Sequence, residues 1–196
     1  MSKELIKPVI SLFVITAVVA ALLGFVHEIT LEPIAIQQKL VEEKTMKEVL
    51  PEAEEFKELE WKQPEDGEGV IVQKITEGFK NGELCGYVVL IAPTNGFSGT
   101  FTQMLGIDKD GVITGLRVLS HSETPGLGAK AKDDPEFYEQ FNGKKSVDFE
   151  AKKSLDLAVT KDGGDIDAIT SATITSRAVV DGINAAASVL SQEVSE

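Results

Sequence analysis

Residues 70–92 read VIVQKITEGFKNGELCGYVVLIA, two apolar runs joined by Lys80-Asn81-Gly82-Glu83. An Asn-Gly pair between such runs is a strong β-hairpin signal, because both residues tolerate the positive φ angles of a tight turn. A second pair of runs, residues 103–108 (QMLGID) and 112–119 (VITGLRVL), flanks Lys109-Asp110-Gly111. The stretch predicts two consecutive hairpins in an antiparallel sheet.

Helices are predicted after these strands. Residues 133–141 (DDPEFYEQF) combine an Asp cap with a Pro at the first helical position, which indicates a short helix. Residues 155–160 could form a further strand, and residues 161–164 a loop. Residues 172–190 place apolar side chains on one side of a closing amphipathic helix. Strands followed by helices favour an α+β fold, an antiparallel sheet with flanking helices.

An uncharged run precedes this domain. Residues 8–26 read PVISLFVITAVVAALLGFV, and a helix of about twenty such residues crosses a bilayer. The alternative is a cleaved secretory signal, whose apolar region is usually shorter and is followed by a small-residue cleavage site. The length of the run, and its continuation through His27-Glu28 without an A-x-A site, favour one retained amino-terminal transmembrane helix.

The flanks of this run predict its orientation. Lys3 and Lys7 precede it, whereas His27, Glu28 and Glu32 follow it, so the amino terminus should be cytoplasmic and the rest extracytoplasmic. We therefore expect three segments: a cytoplasmic amino terminus with a transmembrane helix (1–30), a helical stalk and linker (31–69), and an extracytoplasmic domain (70–196). Pro51 should end the stalk, and residues 51–69 should form a short helix and a loop.

Composition narrows the classes of function. The net charge of −13 disfavours binding to nucleic acid or to anionic lipid surfaces. Cys85 is the single cysteine, which excludes an internal disulfide. With two histidines, His27 and His121, a zinc or iron–sulfur site built from this chain alone is disfavoured as well.

Two loops carry residues of chemical interest. Residues 93–100 (PTNGFSGT) could wrap a ligand or could simply be a long connection between strands. Residues 121–130 (HSETPGLGAK) could form a plain type II turn at Pro-Gly. Alternatively, the loop could present a carboxylate, a hydroxyl and an apolar side chain to a ligand through Glu123, Thr124 and Leu127.

A third stretch, residues 167–177 (DAITSATITSR), crowds hydroxyl side chains at the predicted start of the closing helix. Free backbone N–H groups and the positive end of the dipole make a helix start suitable for phosphate. The alternative is redundant capping, in which Thr170 or Ser171 caps the helix and the other hydroxyls face solvent.

Two of these motifs carry a family resemblance. HSETPGLG matches the pattern H-x-E-T-P-G-L-G, and residues 167–173 (DAITSAT) match D-x-x-S/T-G-A-T, in this order after a single span. The chain thereby resembles the FMN-binding domain family, which includes the G subunit of the Rnf ion-translocating electron-transport complex and the C subunit of the sodium-translocating NADH:quinone reductase. The resemblance covers nearly the whole chain, and the short length favours the Rnf type.

The resemblance implies a covalent FMN, esterified through its phosphate to the hydroxyl of Thr173, with Thr175 and Ser176 as the fallback acceptors. Ser171 stands where this family usually has glycine. The remaining flavin-site residues that we expect are Glu123, Thr124, Leu127, Lys161, Thr170 and Ser171.

The implied function is electron transfer by a membrane-anchored component of a complex that couples ferredoxin:NAD electron transfer to Na⁺ or H⁺ translocation, without independent catalysis. The implied partners are the other membrane and redox subunits, the membrane, and a flavin transferase that uses FAD and a divalent metal and reads Asp167. No nucleic acid is expected. The alternatives are a component of the quinone reductase that is similar to its C subunit, an anchored flavoprotein module of another extracytoplasmic reductase, and an anchored interaction domain without flavin.

Overall fold

A computed structural model describes residues 3–61 and 69–193 of the 196-residue chain. The chain divides into two compact units, Met1–Glu42 and Glu43–Glu196. Helix α1, Lys3–Val49, contains the whole predicted span and stalk. It is long and apolar enough from Ile6 onward, by length and composition, to cross a membrane. The helix ends two residues before Pro51, as expected from the restriction that proline places on the residue before it.

The second unit is built on a five-stranded antiparallel sheet with the order β1-β2-β3-β4-β5. Its strands are Glu55–Glu58 (β1), Val70–Lys80 (β2), Glu83–Pro93 (β3), Thr102–Asp108 (β4) and Ile113–Ser120 (β5). Both predicted hairpins are confirmed. In the first turn Asn81 and Gly82 have φ angles of 52° and 81°, the two positive values that the Asn-Gly pair predicts.

The prediction of a short helix within residues 51–69 is wrong for the described part of that segment, residues 51–61 and 69. Glu55–Glu58 is the edge strand β1, paired with β2 in the register Glu55↔Phe79. Its Glu- and Lys-rich sequence has helical character, but the free edge of β2 offers a row of hydrogen-bonding groups that overrides this local preference. Residues 62–68 of the predicted linker lie outside the described residues.

The elements after the sheet agree in part with the prediction. The helix expected over residues 133–141 is shorter: α2 is Lys130–Asp133 and α3 is Pro135–Glu139, with the Asp134 side chain capping α3 through the Glu136 N–H at 3.1 Å. The strand expected over residues 155–160 is wrong. Val159 forms an isolated parallel bridge with Ile166, and the backbone of Leu157 exchanges two hydrogen bonds, both 2.9 Å, with the side-chain amide of Asn184.

Two short strands, Val147–Asp148 (β6) and Lys153–Ser154 (β7), pair with each other, and the loop expected at residues 161–164 contains a 3₁₀ turn, Thr160–Asp162. The closing amphipathic helix is confirmed as α4, Thr173–Glu193. α4 packs on one side of the sheet, which we call the α4 face. There it forms the main core, which includes Ile75, Tyr87, Val89, Ile91, Leu105, Ile107, Leu116, Val179, Ile183 and Leu190.

The opposite side of the sheet, which we call the glycine face, receives the end of α1. Val49 and Leu50 pack here with Ala53, Val88 and Met104. Four glycines from neighbouring strands form the floor beneath them: Gly78, Gly86, Gly106 and Gly115, paired in register as Gly78↔Gly86 and Gly106↔Gly115. The Thr114 hydroxyl donates to the Val49 carbonyl, and Glu48 pairs with Arg117 at 3.5 Å.

Candidate functional site

A cleft of about 290 Å³ lies between the loop that follows β5 and the start of α4. Five of the residues expected at the site line it together: Glu123, Thr124, Leu127, Ser171 and Thr173. Its other lining residues are Phe97, Gly128, Ala172, Ile174 and Thr175. The two sequence motifs, which are separated by about forty residues in the chain, therefore meet at one cleft.

A tight turn shapes one wall of this cleft. The Leu127 N–H donates to the Thr124 carbonyl at 3.2 Å, and Gly126 between them has a φ of 75°. A type II turn favours Pro at its second position and needs a residue that tolerates positive φ, such as Gly, at its third. The turn leaves the Leu127 side chain partly exposed at the cleft.

Glu123 forms the floor of the cleft. Its side chain is only 6% exposed, and its carboxylate joins two other segments of the chain. One oxygen accepts from the Thr175 hydroxyl at 3.0 Å, and the other accepts from the Ser98 N–H at 3.1 Å. A Cβ on Gly128 would lie 2.4 Å from this carboxylate, so glycine is required for the close approach. Both oxygens are thus engaged, as a buried carboxylate requires.

The start of α4 separates its hydroxyls into two groups. Thr175 and Ser176 are buried: Thr175 bonds to Glu123, and the Ser176 hydroxyl donates to the Ala172 carbonyl at 3.0 Å. Thr173 is half-buried and lines the cleft. The Ala172 carbonyl accepts a hydrogen bond from the Ser176 N–H, as in the regular helical pattern. The N–H groups before Ser176 in the first turn have no carbonyl of the helix to donate to.

A cation lies against the Thr173 hydroxyl. The Lys161 ammonium donates to Thr173 Oγ1 at 2.8 Å from the 3₁₀ turn Thr160–Asp162. Asp162, the next residue, accepts two hydrogen bonds of 2.6 Å from Arg177 on α4. These bonds from Arg177 hold the pKa of Asp162 below its usual value, and the charge of Lys161 acts in the same direction.

One predicted site residue lies outside the cleft, and two residues that flank the cleft were not predicted. Thr170 is exposed and lines a neighbouring concavity with Lys130 and Gln140, outside the cleft. Phe97 and Ile174, 68% and 50% exposed, flank the cleft although neither was predicted. The signal for Phe97 was an aromatic residue inside the Gly-, Ser- and Thr-rich loop 93–100, and for Ile174 an apolar residue in an otherwise polar first helical turn.

The cleft suits a ligand with a phosphate group at one end and a flat aromatic system at the other. A half-buried hydroxyl, a lysine ammonium and a helix start lie together at Thr173, which is the setting that proteins use for phosphate. Leu127, Ile174 and Phe97 supply apolar surface, and Glu123 and Thr124 supply polar groups between them. The residues present therefore fit FMN.

A protein-family match and similar proteins cover the part of the chain that forms the cleft. The model of the FMN-binding domain family matches residues 96–188, which contain every residue lining the cleft. The G subunit of the ion-translocating oxidoreductase complex of Methanosarcina acetivorans is 37% identical over 193 residues, 98% of this chain and 97% of that protein.

The G subunit of the Na⁺-translocating ferredoxin:NAD⁺ oxidoreductase complex of Acetobacterium woodii is 39% identical over 195 residues, 93% of this chain and 89% of that protein. Among solved structures, the C subunit of the Na⁺-translocating NADH-quinone reductase from Parabacteroides distasonis is 27% identical, covering 62% of this chain and 61% of that chain with a TM-score of 0.48.

Proposed function

Since the chain belongs to the family of G subunits of ion-translocating oxidoreductase complexes and contains an FMN-binding domain, we propose that it is the membrane-anchored flavin subunit of an Rnf-type complex. Such a complex couples electron transfer between ferredoxin and NAD⁺ to the movement of Na⁺ or H⁺. The chain relays electrons between redox centres of its neighbours and catalyses no reaction alone. Its partners are the other membrane and redox subunits, the membrane itself and a flavin transferase.

The observation that carries this proposal is the position of the Thr173 hydroxyl, which we propose as the site of covalent FMN attachment. Thr175 and Ser176 are buried and hydrogen-bonded, and Thr170 lies outside the cleft. Thr173 is partly accessible, lines the cleft and contacts a lysine ammonium. An acceptor must be reachable by the transferase and must leave the flavin inside the cleft, and Thr173 meets both conditions.

The attachment is a phosphoryl transfer from FAD. The Thr173 oxygen attacks the phosphorus on the flavin side of the FAD pyrophosphate, a new O–P bond forms, and the P–O bond to the adenylate breaks. AMP leaves with the bridging oxygen, and the hydroxyl proton passes to a base of the transferase. The product is a phosphodiester, which keeps the cofactor on a domain that lies outside the cytoplasm.

The residues around the cleft then hold the cofactor. Leu127, Ile174 and Phe97 line the cleft and would hold the flat ring system and limit the access of water to it. Glu123 keeps the cleft walls together through its bonds to Thr175 and Ser98. When bound, FMN supplies the capacity to accept and donate electrons singly or in pairs.

The proposed topology follows from the amino-terminal charges. Lys3 and Lys7 remain in the cytoplasm, α1 crosses the membrane, and the FMN-binding domain lies on the extracytoplasmic side. Ala17, Ala20, Ala21 and Gly24 give the span small residues at which helices of partner subunits could approach closely.

The central experiment is the mass of a peptide covering residues 165–177, from full-length protein made in a host that contains the flavin transferase. We expect an FMN-sized increment on Thr173, and a fluorescent band after denaturing electrophoresis. Thr173→Ala should remove both signals completely, because Thr173, and not Ser171, the other accessible hydroxyl of this segment that lines the cleft, contacts the Lys161 ammonium. Thr170→Ala, a matched change outside the cleft, should keep them.

An unmodified wild-type peptide, or a flavin that persists in Thr173→Ala, would refute the attachment site. Membership of the complex is tested separately by affinity purification in mild detergent. Polytopic membrane subunits should co-purify with the chain, and isolation of the chain alone as an active reductase would contradict the Rnf-type assignment.

A further inference from the structure

We propose that Lys161 is the counter-ion of the FMN phosphodiester and that the Asp162–Arg177 pair holds it in place, an inference that rests on the proposed attachment at Thr173. The family resemblance implies that this lysine contacts the flavin, and a cation near the ring would favour the anionic reduced forms. The structure assigns it to one end of the cofactor, the phosphate end.

The first support is a distance. The Lys161 ammonium lies 2.8 Å from Thr173 Oγ1, the atom that becomes the ester oxygen. A phosphate bonded to that oxygen would lie within reach of the ammonium, whereas the ribityl chain would separate the ammonium from the ring system. Thr173 lines the cleft, and Lys161 reaches it from the 3₁₀ turn outside the cleft lining.

The second support is how the lysine is positioned. Arg177 lies one helical turn after Thr173 on α4 and grips both carboxylate oxygens of Asp162 at 2.6 Å. Such a two-point contact fixes orientation as well as distance. Because Asp162 directly follows Lys161, this contact ties the 3₁₀ turn Thr160–Asp162 to the same helix that carries the acceptor. The Lys161 ammonium is thereby held beside the Thr173 hydroxyl.

The third support is charge. Asp162 is already neutralised by Arg177, and no ion pair involves Lys161 among residues 3–61 and 69–193. A phosphodiester carries one negative charge at neutral pH, since it lacks the second ionisation, near pH 6, of a phosphate monoester. One ammonium therefore balances one phosphodiester. The positive end of the α4 dipole adds to the same attraction.

The test compares four full-length variants made with the transferase and purified in detergent: Lys161→Gln, Lys161→Arg, Arg177→Gln and the surface control Lys109→Gln. For each we would record the rate of flavin attachment, the ³¹P resonance of the bound flavin and the midpoint potential of the flavin. The phosphorus signal reports on the phosphate end, and the potential reports on the ring.

In Lys161→Gln we expect the ³¹P resonance to move by more than its line width while the midpoint potential stays at the wild-type value. Flavin attachment should slow about fivefold, the size expected for a partly exposed charge pair. Lys161→Arg should restore the attachment rate, because it keeps the charge at the phosphate. Lys109→Gln should match the wild type in all three measurements.

A shift in potential without a change in the ³¹P resonance would place Lys161 at the ring and overturn the inference, as would no change in either. If Lys161→Gln takes up no flavin, Arg177→Gln provides the loaded sample. It keeps the ammonium but frees the turn, so the ³¹P resonance should move less and the potential should stay constant; the opposite pattern would again overturn the inference. Failure of the attachment itself is seen separately, as flavin retained in Thr173→Ala.

Discussion

The two faces of the sheet bury helices in opposite ways. On the α4 face, large side chains of the strands fill the space beneath the closing helix, among them Ile91, Leu105 and Leu116. On the glycine face, the strands have glycine at four positions. The backbone at the end of α1 therefore approaches the sheet closely: a Cβ on Gly106 would lie 2.1 Å from the Val49 carbonyl oxygen. Large side chains therefore determine the packing on the α4 face, and the absence of side chains determines it on the glycine face.

This difference decides how each face responds to mutation. Added volume on the α4 face meets side chains that can adopt other rotamers. At Gly106 and Gly115, added volume meets the backbone of Val49, which has no alternative position while Thr114 holds its carbonyl. The glycine face should therefore tolerate additions less than the α4 face does.

The largest effect is expected for Gly106→Ala. The new methyl group would overlap the Val49 carbonyl, so the end of α1 must shift away from the sheet and Leu50 must lose part of its burial. We expect the free energy of unfolding to fall by about 3 kcal/mol. Denaturant unfolding of the full-length protein in detergent, followed by the fluorescence of its single tryptophan, Trp61, would measure this.

The matched control is Gly182→Ala in α4. Its Cβ would lie 2.2 Å from the side-chain nitrogen of buried Gln103 and 2.9 Å from Pro93 Cγ, so the amide must move and its bond to the Val179 carbonyl weakens. Alanine favours the helix by about 1 kcal/mol over glycine, which offsets part of this cost. We therefore expect a loss of about 1 kcal/mol, smaller than that of Gly106→Ala. Equal losses for the two substitutions would show that the faces do not differ in this way.

The second prediction concerns the α4 face alone. Tyr87 is 3% exposed, and burial, with the Glu77 carboxylate opposite it on β2, raises the pKa of its phenol to about 12. In the unfolded chain the phenol titrates near pH 10. The folded state therefore binds this proton more tightly, so the associated stability is complete below about pH 10 and is lost as the pH rises toward 12.

The expected loss between these pH values is about 2 kcal/mol from Tyr87. Because the lysines titrate in the same range, the measurement is the difference between the wild type and Tyr87→Phe in parallel unfolding experiments at each pH. Tyr87→Phe should lose less stability across the window. Parallel curves for the two proteins would show that the phenol ionises in the folded state as readily as in solution.

The same contrast explains what could be predicted from the sequence. The hairpins and α4 were predictable, because Asn-Gly turns and amphipathic spacing are local signals. The glycine face was not, because a glycine inside a strand does not reveal what approaches it. Strand β1 was missed since its pairing depends on the free edge of β2, which is a tertiary feature.

The candidate site was predicted in the same uneven way. The two motifs named Glu123 and Thr173, and the structure places both at one cleft. Residue spacing could not show that Thr170 lies outside the cleft or that Phe97 lies beside it. The Asp162–Arg177 pair joins the 3₁₀ turn to α4 only in the folded chain, so no local pattern indicates it.

The smallest effect is expected at Ser171, where a residue other than glycine occupies a backbone conformation that favours glycine. Ser171, two residues before the proposed attachment residue Thr173, has a φ of 65°, in the left-handed region that favours glycine. Gly106 and Gly115 are required by the neighbouring backbone of Val49, whereas position 171 favours glycine because of its own backbone conformation. Ser171→Gly should relieve about 1 kcal/mol of strain, while the greater freedom of glycine in the unfolded chain offsets part of it.

We therefore expect Ser171→Gly to raise the free energy of unfolding by about 0.5 kcal/mol. The reverse change, Gly126→Ser, tests the same cause, because Gly126 has a φ of 75° and open space where a Cβ would lie. It should destabilise the protein by about 1 kcal/mol. Both are measured without flavin, in a host that lacks the transferase. If Ser171→Gly lowers the free energy of unfolding, the serine hydroxyl stabilises the folded chain by more than the backbone strain at this position destabilises it.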